Sequence, residues 1–164
     1  MKALKIGIVA AVAAVGLAAW FFTSSTSQAA PQVSYTTLSG ETITPQDLKG
    51  KVTLVKFWAT SCVTCIQQMP ETIALYNEFK PEGYQVIAVA MDYDPINYVR
   101  TYTETRKLPF KVVHDDGTLA KAFGDVKLTP TAFLIDKQGR IVKRYLGNYN
   151  KDEFVNTVQK ALKG

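Results

Sequence analysis

Hydrophobic positions fall into two regimes along the chain. From Ile6 to Phe22 they form one uncharged, almost wholly apolar run, preceded by Lys2 and Lys5. A run of this length sits at the lower limit for a membrane-spanning helix. From Val33 onward the apolar residues are instead broken into short periodic groups. Val33 to Leu38 alternates loosely, as in a strand, and ends at the turn Ser39-Gly40. Val52 to Trp58 is a β-rich apolar run that predicts a central strand. From Cys62 to about Lys80 the spacing becomes helical, with Ile66, Met69, Ile73, Tyr76 and Phe79 on one stripe and Pro70 expected to kink it.

Tyr84 to Met91 predicts a second buried strand. Pro95 to Lys107 predicts a helix with Asp94 as its cap. A short strand at Lys111 to Val113 and a short helix from about Gly117 to Phe123 follow. Thr131 to Ile135 and Ile141 to Leu146 flank Asp136-Lys137-Gln138-Gly139-Arg140, a hairpin signal with glycine in the turn. Lys151 to Leu162 predicts a closing amphipathic helix, with Phe154, Val155, Val158 and Leu162 on its apolar side. Alternating strands and helices followed by a hairpin imply an α/β sandwich built on a mixed sheet.

Composition refines this picture in two places. The chain has 164 residues and is 47% hydrophobic, enough for one domain with a sizeable core. Its net charge of +5 is spread without a clustered basic stripe, so no nucleic-acid partner is expected. The N-terminal segment, residues 1–22, reads as an anchor with its lysines on the inner side of the membrane and the rest of the chain outside. The competing reading is a cleaved signal peptide, because Ser27-Gln28-Ala29 is a small-x-small pattern. Residues 23–32 then read as a Ser/Thr/Ala-rich linker and residues 33–164 as the folded domain.

Chemistry is concentrated in Cys62-Val63-Thr64-Cys65, the only two cysteines. A CxxC pair is also half of a zinc site, but a closed site needs about four ligands. The chain adds a single histidine, His114, which reads as a strand-end residue, so no metal is assigned. A structural staple is equally poor, because so short a loop stabilises little by chain entropy. Between a predicted strand and a predicted helix, the first thiol lies near the free N–H groups of the helix start, which stabilise a thiolate. The second lies in the first turn, within reach of a mixed disulfide. The cofactor is thus the Cys62–Cys65 pair itself, and no other is expected.

Phe57-Trp58-Ala59-Thr60-Ser61-Cys62-Val63-Thr64-Cys65, with Pro70 downstream, resembles the active-site segment of the thioredoxin superfamily. The stretch from Thr129-Pro130 to Asp136, then Gly139-Arg140-Ile141 and Gly147, is similar to its TlpA/ResA branch of membrane-anchored extracytoplasmic proteins. The resemblance implies a thioredoxin-like three-layer sandwich. It makes Cys62 the attacking nucleophile, Cys65 the resolving thiol and Pro130 a cis-proline, with Thr129 pairing to an extended partner segment. An ordinary trans turn is the alternative for Thr129-Pro130. Trp58 packs beside the site or serves as a core aromatic. Two positions depart from the branch. Lys56 stands where relatives carry Asp or Asn, and either stabilises the thiolate or snorkels to the sheet edge. Gln68 stands where they carry Glu and cannot titrate, which leaves Glu71 as the remaining acid nearby.

The resemblance implies a disulfide reductase, fed by a thiol–disulfide donor in the membrane and acting on exported proteins such as those of cytochrome c or copper-site assembly. It places the catalytic domain on the periplasmic side of the cytoplasmic membrane, or free in the periplasm if the segment is cleaved. Val63-Thr64 lacks the histidine of strongly oxidising relatives, which favours reduction. Two rival readings use the same cysteines. Cu(I) handling would recruit Met69, since soft sulfur ligands suit that ion. A thiol peroxidase would need a Pro…Thr-x-x-Cys pattern, which Thr60 does not match.

Overall fold

The structure is a computed structural model, and it describes residues 28–164. The segment Ile6 to Phe22, read above as an anchor, lies outside the described residues, as do residues 23–27 of the 23–32 linker. No helix among the described residues is long and apolar enough to cross a membrane.

The central strand β4 (Val52–Trp58) follows two short antiparallel strands, β2 (Tyr35–Thr36) and β3 (Thr42–Ile43), and the single-turn helix α1 (Pro45–Leu48). Every residue of β4 is buried, as expected for a strand covered on both faces. It pairs in parallel with β5 (Tyr84–Ala90), which pairs in parallel with β6 (Lys111–His114). On its other side β4 pairs antiparallel with β7 (Thr131–Ile135), which forms a hairpin with β8 (Arg140–Leu146). The sheet is therefore mixed. Asp136 closes the hairpin by accepting the Gln138 and Arg140 N–H groups at 3.0 and 2.9 Å, and Gly139 supplies the left-handed residue at φ 79°.

Helix α2 (Val63–Phe79) leaves the end of β4 and runs through Pro70 as one element. Its buried face is Cys65, Met69, Thr72, Leu75 and Phe79, rotated from the expected stripe, so that Ile66, Ile73 and Tyr76 are only partly covered. Helices α3 (Ile96–Thr105), α4 (Thr118–Ala122) and α5 (Lys151–Lys163) complete the chain. Alternation along β4 divides the core. Leu54 and Trp58 pack with α2, with Val99 of α3 and with Phe154, Val158 and Leu162 of α5. Val55 and Phe57 pack on the opposite face with Leu119 and Phe123 and with Tyr35 and Ile43 of the small hairpin. Helices on both faces of the sheet give the three layers anticipated.

Three local expectations change. Two residues from within the expected linker join the sheet as β1 (Gln28–Ala29), antiparallel to β8 at Ile141 and Arg140. Helix α1 was not read from the sequence, although its capping box is local: Asp47 accepts the Thr44 N–H at 2.8 Å, and Pro45 occupies the first turn. Asp94 does not cap α3, whose N-cap is Pro95 without a side-chain bond. Its carboxylate is engaged elsewhere.

Candidate active site

Strand β4 ends at Trp58 and the chain turns through Ala59-Thr60-Ser61 into α2, with Cys62 as N-cap. Cys62 and Cys65 are joined by a disulfide, with Cα atoms 5.2 Å apart. The two sulfurs are not equivalent. Cys65 is fully buried, whereas Cys62 is partly exposed. The Cys62 Sγ accepts the backbone N–H of Cys65 at 3.2 Å, so it occupies the place where a helix start offers its unpaired donors. A backbone N–H at a helix start is a donor that favours the thiolate of a cysteine placed there.

The Thr129–Pro130 peptide bond is cis. Because Phe57 pairs with Thr131, the β7 register continues toward Pro130 beside the end of β4 from which the cysteine loop departs. The Pro130 carbonyl accepts the Gly147 N–H at 2.8 Å. Trp58 is buried in the cluster that holds Cys65 and Met69, its ring 5.3 Å from that of Tyr102. Both readings of Trp58 therefore hold together: it is a core aromatic packed against the redox helix.

Lys56 does not snorkel to an edge. Only 1% of it is exposed, because β4 is central and Lys56 points into the α2 layer. Alanines stand opposite it on both neighbouring strands, Ala88 and Ala132, and leave room for the long stem. Its Nζ donates to Gln68 Oε1 at 3.0 Å and to Thr72 Oγ1 at 3.1 Å. The two positions at which the sequence departs from its relatives are thus partners. Gln68 in turn donates to the Gly147 carbonyl at 3.1 Å and to Asn148 Oδ1 at 3.2 Å. Burial pulls the Lys56 ammonium down to about 8, opposed by the charge of Glu71.

A redox pair at a helix start, a cis-proline alongside it and a mixed sheet between helices invite comparison with known proteins. The family model described as Redoxin matches residues 25–162. The chain belongs to the redoxin family. Among curated proteins, this redoxin is 36% identical over 131 residues to a thiol-disulfide oxidoreductase ResA of Bacillus cereus, covering 80% of this chain and 75% of that protein. It is 33% identical over 126 residues to the ResA of Halalkalibacterium halodurans, covering 74% of this chain and 70% of that protein. Among solved structures, a Neisseria meningitidis protein assigned as a thioredoxin superposes with a TM-score of 0.79 at 39% identity, over 84% of this chain and 92% of that one. A thiol:disulfide interchange protein from Chlorobium tepidum TLS superposes at 0.77 with 26% identity, over 85% and 99%. The thioredoxin superfamily and its ResA/TlpA-like branch, read from the sequence, are borne out. The protein is a thiol–disulfide oxidoreductase by family.

Several residues around the redoxin pair were not read from the sequence as part of the site. Asp94 is buried, and its two carboxylate oxygens accept the Thr60 N–H and the Thr60 hydroxyl, each at 2.6 Å. The carboxylate thus clamps the loop two residues before Cys62. The backbone carbonyl of Asp94 is hydrogen-bonded to His114 Nε2 at 2.7 Å, which gives the lone histidine a structural role at the end of β6. Both bonds to Thr60 are charge-assisted and partly buried. Asp94→Asn retains only one acceptor oxygen and is expected to lower stability by about 1–2 kcal/mol. Denaturant unfolding measures that loss. Faster proteolysis or alkylation at the loop would show that it is local.

Exposed apolar side chains also gather here. Val63 lies inside the CxxC and is 70% exposed; Leu128 precedes Thr129 and is 64% exposed. Tyr93 is 56% exposed and its hydroxyl lies 3.4 Å from Thr129 Oγ1. Their exposure was not legible in the sequence, because period and composition treat each as an ordinary apolar position.

Proposed function

We propose that this protein reduces disulfides in exported proteins while tethered to the outer face of the cytoplasmic membrane. The observation that carries the reading is the asymmetry of the pair. Cys62 is accessible and held at the helix start, and Cys65 is buried one turn on, as attack and resolution require. Reduction of a partner begins with the Cys62 thiolate attacking one partner sulfur, releasing the other as a thiolate. Cys65 then attacks the Cys62 Sγ of the mixed disulfide, forms the Cys62–Cys65 bond and frees the reduced partner. An extended partner segment would dock on the Thr129 backbone beside Pro130, over the apolar side chains of Val63, Tyr93 and Leu128. The absence of histidine between the cysteines favours the reducing direction.

The tether reading has its own support. Cleavage after Ala29 would delete β1 and strip the edge of β8 that it covers. An uncleaved anchor ending at Phe22 leaves residues 23–27 before β1, a reach of at most about 18 Å. Strand β1 joins the sheet next to the Asp136–Arg140 hairpin, whose neighbour Ile135 pairs with Thr53 at the start of β4. That is the end of the sheet opposite Cys62, and β1, antiparallel to β8, runs toward it, so the tether would reach β1 along the sheet edge from the side of the redox pair. Electrons would come from a thiol–disulfide donor in the membrane, and the accepting proteins would be exported ones, such as those of cytochrome c or copper-site assembly.

The test is capture in the native cell envelope with Cys65→Ala, which removes the resolving thiol. Mixed disulfides with exported proteins through Cys62 are expected, sensitive to reductant and absent in the double variant with Cys62→Ala. Capture confined to cytoplasmic proteins, or none above the double variant, would end the proposal. Tight stoichiometric Cu(I) binding without disulfide turnover would favour the metal-handling alternative.

A further inference from the structure

We infer that Lys56 is the buried countercharge of the Cys65 thiolate, a positioning residue held in place by Gln68 and Thr72 for the resolving step. The inference rests on the oxidoreductase reading and deepens it.

The hydrogen-bond directions around Lys56 are all determined. Thr72 Oγ1 donates to the Gln68 carbonyl at 3.1 Å, so it accepts from Nζ. The Gln68 amide nitrogen donates to Gly147 and Asn148, which leaves its oxygen to accept from Nζ. An ammonium has three donors, and these two bonds occupy two of them. No carboxylate lies within ion-pair distance of Nζ among the described residues. With the disulfide closed, this buried cation therefore has no anion in contact, and Glu71 acts on it only from beyond ion-pair distance.

Reduction supplies one. Cys65, Gln68 and Thr72 lie on one face of α2, the face toward β4. Gln68 is one turn from Cys65, about 4.5 Å along the axis. Trp58, which follows Lys56 on the same face of β4, packs in the cluster that contains Cys65. A thiolate at Cys65 thus forms near the cation and away from solvent, where opposite charges attract strongly. In the step itself Cys65 gives its proton to solvent and its sulfur attacks the Cys62 Sγ. The Cys62–partner S–S bond breaks, and the partner sulfur leaves as a thiolate that is protonated by water. Lys56 retains its proton and stabilises the attacking thiolate.

The other charged and titratable groups facing Lys56 are few. Glu71 on α2 contributes a negative charge that favours the ammonium. Tyr149 adjoins Thr72 and burial pushes it up to about 12, and burial also raises Tyr145 on β8, so both phenols are neutral at physiological pH. The flanking positions on β5 and β7 are alanines, and α5 contributes Phe154 and Val158.

Two measurements test the inference without relying on turnover. In a Cys62→Ser background, the pH dependence of the Cys65 thiolate absorbance gives its ionisation midpoint. Lys56→Met should move it upward, cutting the thiolate fraction at a given pH by roughly tenfold. A purely structural role would leave the midpoint unmoved. In the otherwise unmodified protein, carbon-13 NMR of the lysine Cε groups follows Lys56 directly, and its titration should shift to higher pH when the disulfide is reduced, by reciprocal linkage. This second arm stands even if Lys56→Met fails to fold. Coincident titrations in the oxidised and reduced protein, or an unmoved Cys65 midpoint in folded Lys56→Met, would overturn the inference. An unmodified protein inert toward disulfides would instead refute the reading on which it rests.

Discussion

Cys62→Ala is expected to abolish disulfide reduction, with the rate toward insulin or a small aromatic disulfide falling by three orders of magnitude or more, roughly the scale of losing a nucleophile. The expectation follows from the burial difference within the pair. Cys65 has no exposed surface, and its environment is the apolar cluster of Trp58 and Met69, so it cannot take over attack on an external sulfur. Cys62 is partly exposed, and its sulfur already accepts the Cys65 N–H at 3.2 Å. The comparison is made with both proteins reduced, so that loss of the disulfide's modest contribution to stability does not enter. A Cys62→Ala protein that retained full activity would remove the assignment altogether.

The second large effect concerns stability and its pH dependence. Lys56 is expected to destabilise the fold at neutral pH and to do so progressively less as pH rises. Burial lowers its ammonium from 10.5 to about 8. Between those values the unfolded chain holds the proton and the folded chain releases it, so raising pH favours folding. Below about 8 both states are protonated, and the folded state carries the full cost of a buried cation. The stability of the wild type relative to Lys56→Met should therefore rise between pH 8 and 10.5, by up to roughly 3 kcal/mol at about 1.4 kcal/mol per pH unit. Urea unfolding of the oxidised proteins at about pH 7, 9 and 10.5 reads the difference, in which the other titrating groups largely cancel. At neutral pH the methionine variant loses two hydrogen bonds, each worth about 1 kcal/mol, and removes the buried charge, so it should be at least as stable as the wild type. A flat or falling difference would show that the amine is not desolvated as its burial implies.

A buried lysine that lowers stability is retained most simply for chemistry, and its neighbourhood shows how the fold accommodates it. Gln68 satisfies Lys56 and also bonds the Gly147 carbonyl, while Gly147 donates to the cis-proline carbonyl. One polar path thus runs from β4 through the redox helix to the Pro130 loop. On the other flank, Asp94 ties the loop before Cys62 to the end of β5. The redox pair is held between two polar supports; the sequence singled out Lys56 and Gln68 of the first and read Asp94 of the second only as a helix cap.

The strands at Val52 to Trp58, Thr131 to Ile135 and the β8 hairpin were legible because period-2 alternation, β-branched residues and a glycine turn are local signals. The two-residue strands β1 and β3 carry too few positions for periodicity to register, whereas β2 lies inside the strand expected at Val33 to Leu38. The expected α2 stripe was rotated, because counting apolar letters omits Thr72 and Cys65, which are buried there for polar and redox contacts.

For the redox pair itself, the sequence alone marked the two cysteines and placed the first of them at a helix start, since CxxC at a strand-to-helix junction is a local pattern with a local electrostatic consequence. Tertiary structure decided what surrounds the pair. Lys56 meets Gln68 twelve residues away, and Thr60 meets Asp94 thirty-four residues away. The direction a side chain takes at such distances depends on which strands are central and which helix covers them. Lysine on an edge strand reaches water; the same lysine between two alanine-bearing strands is buried beneath the redox helix.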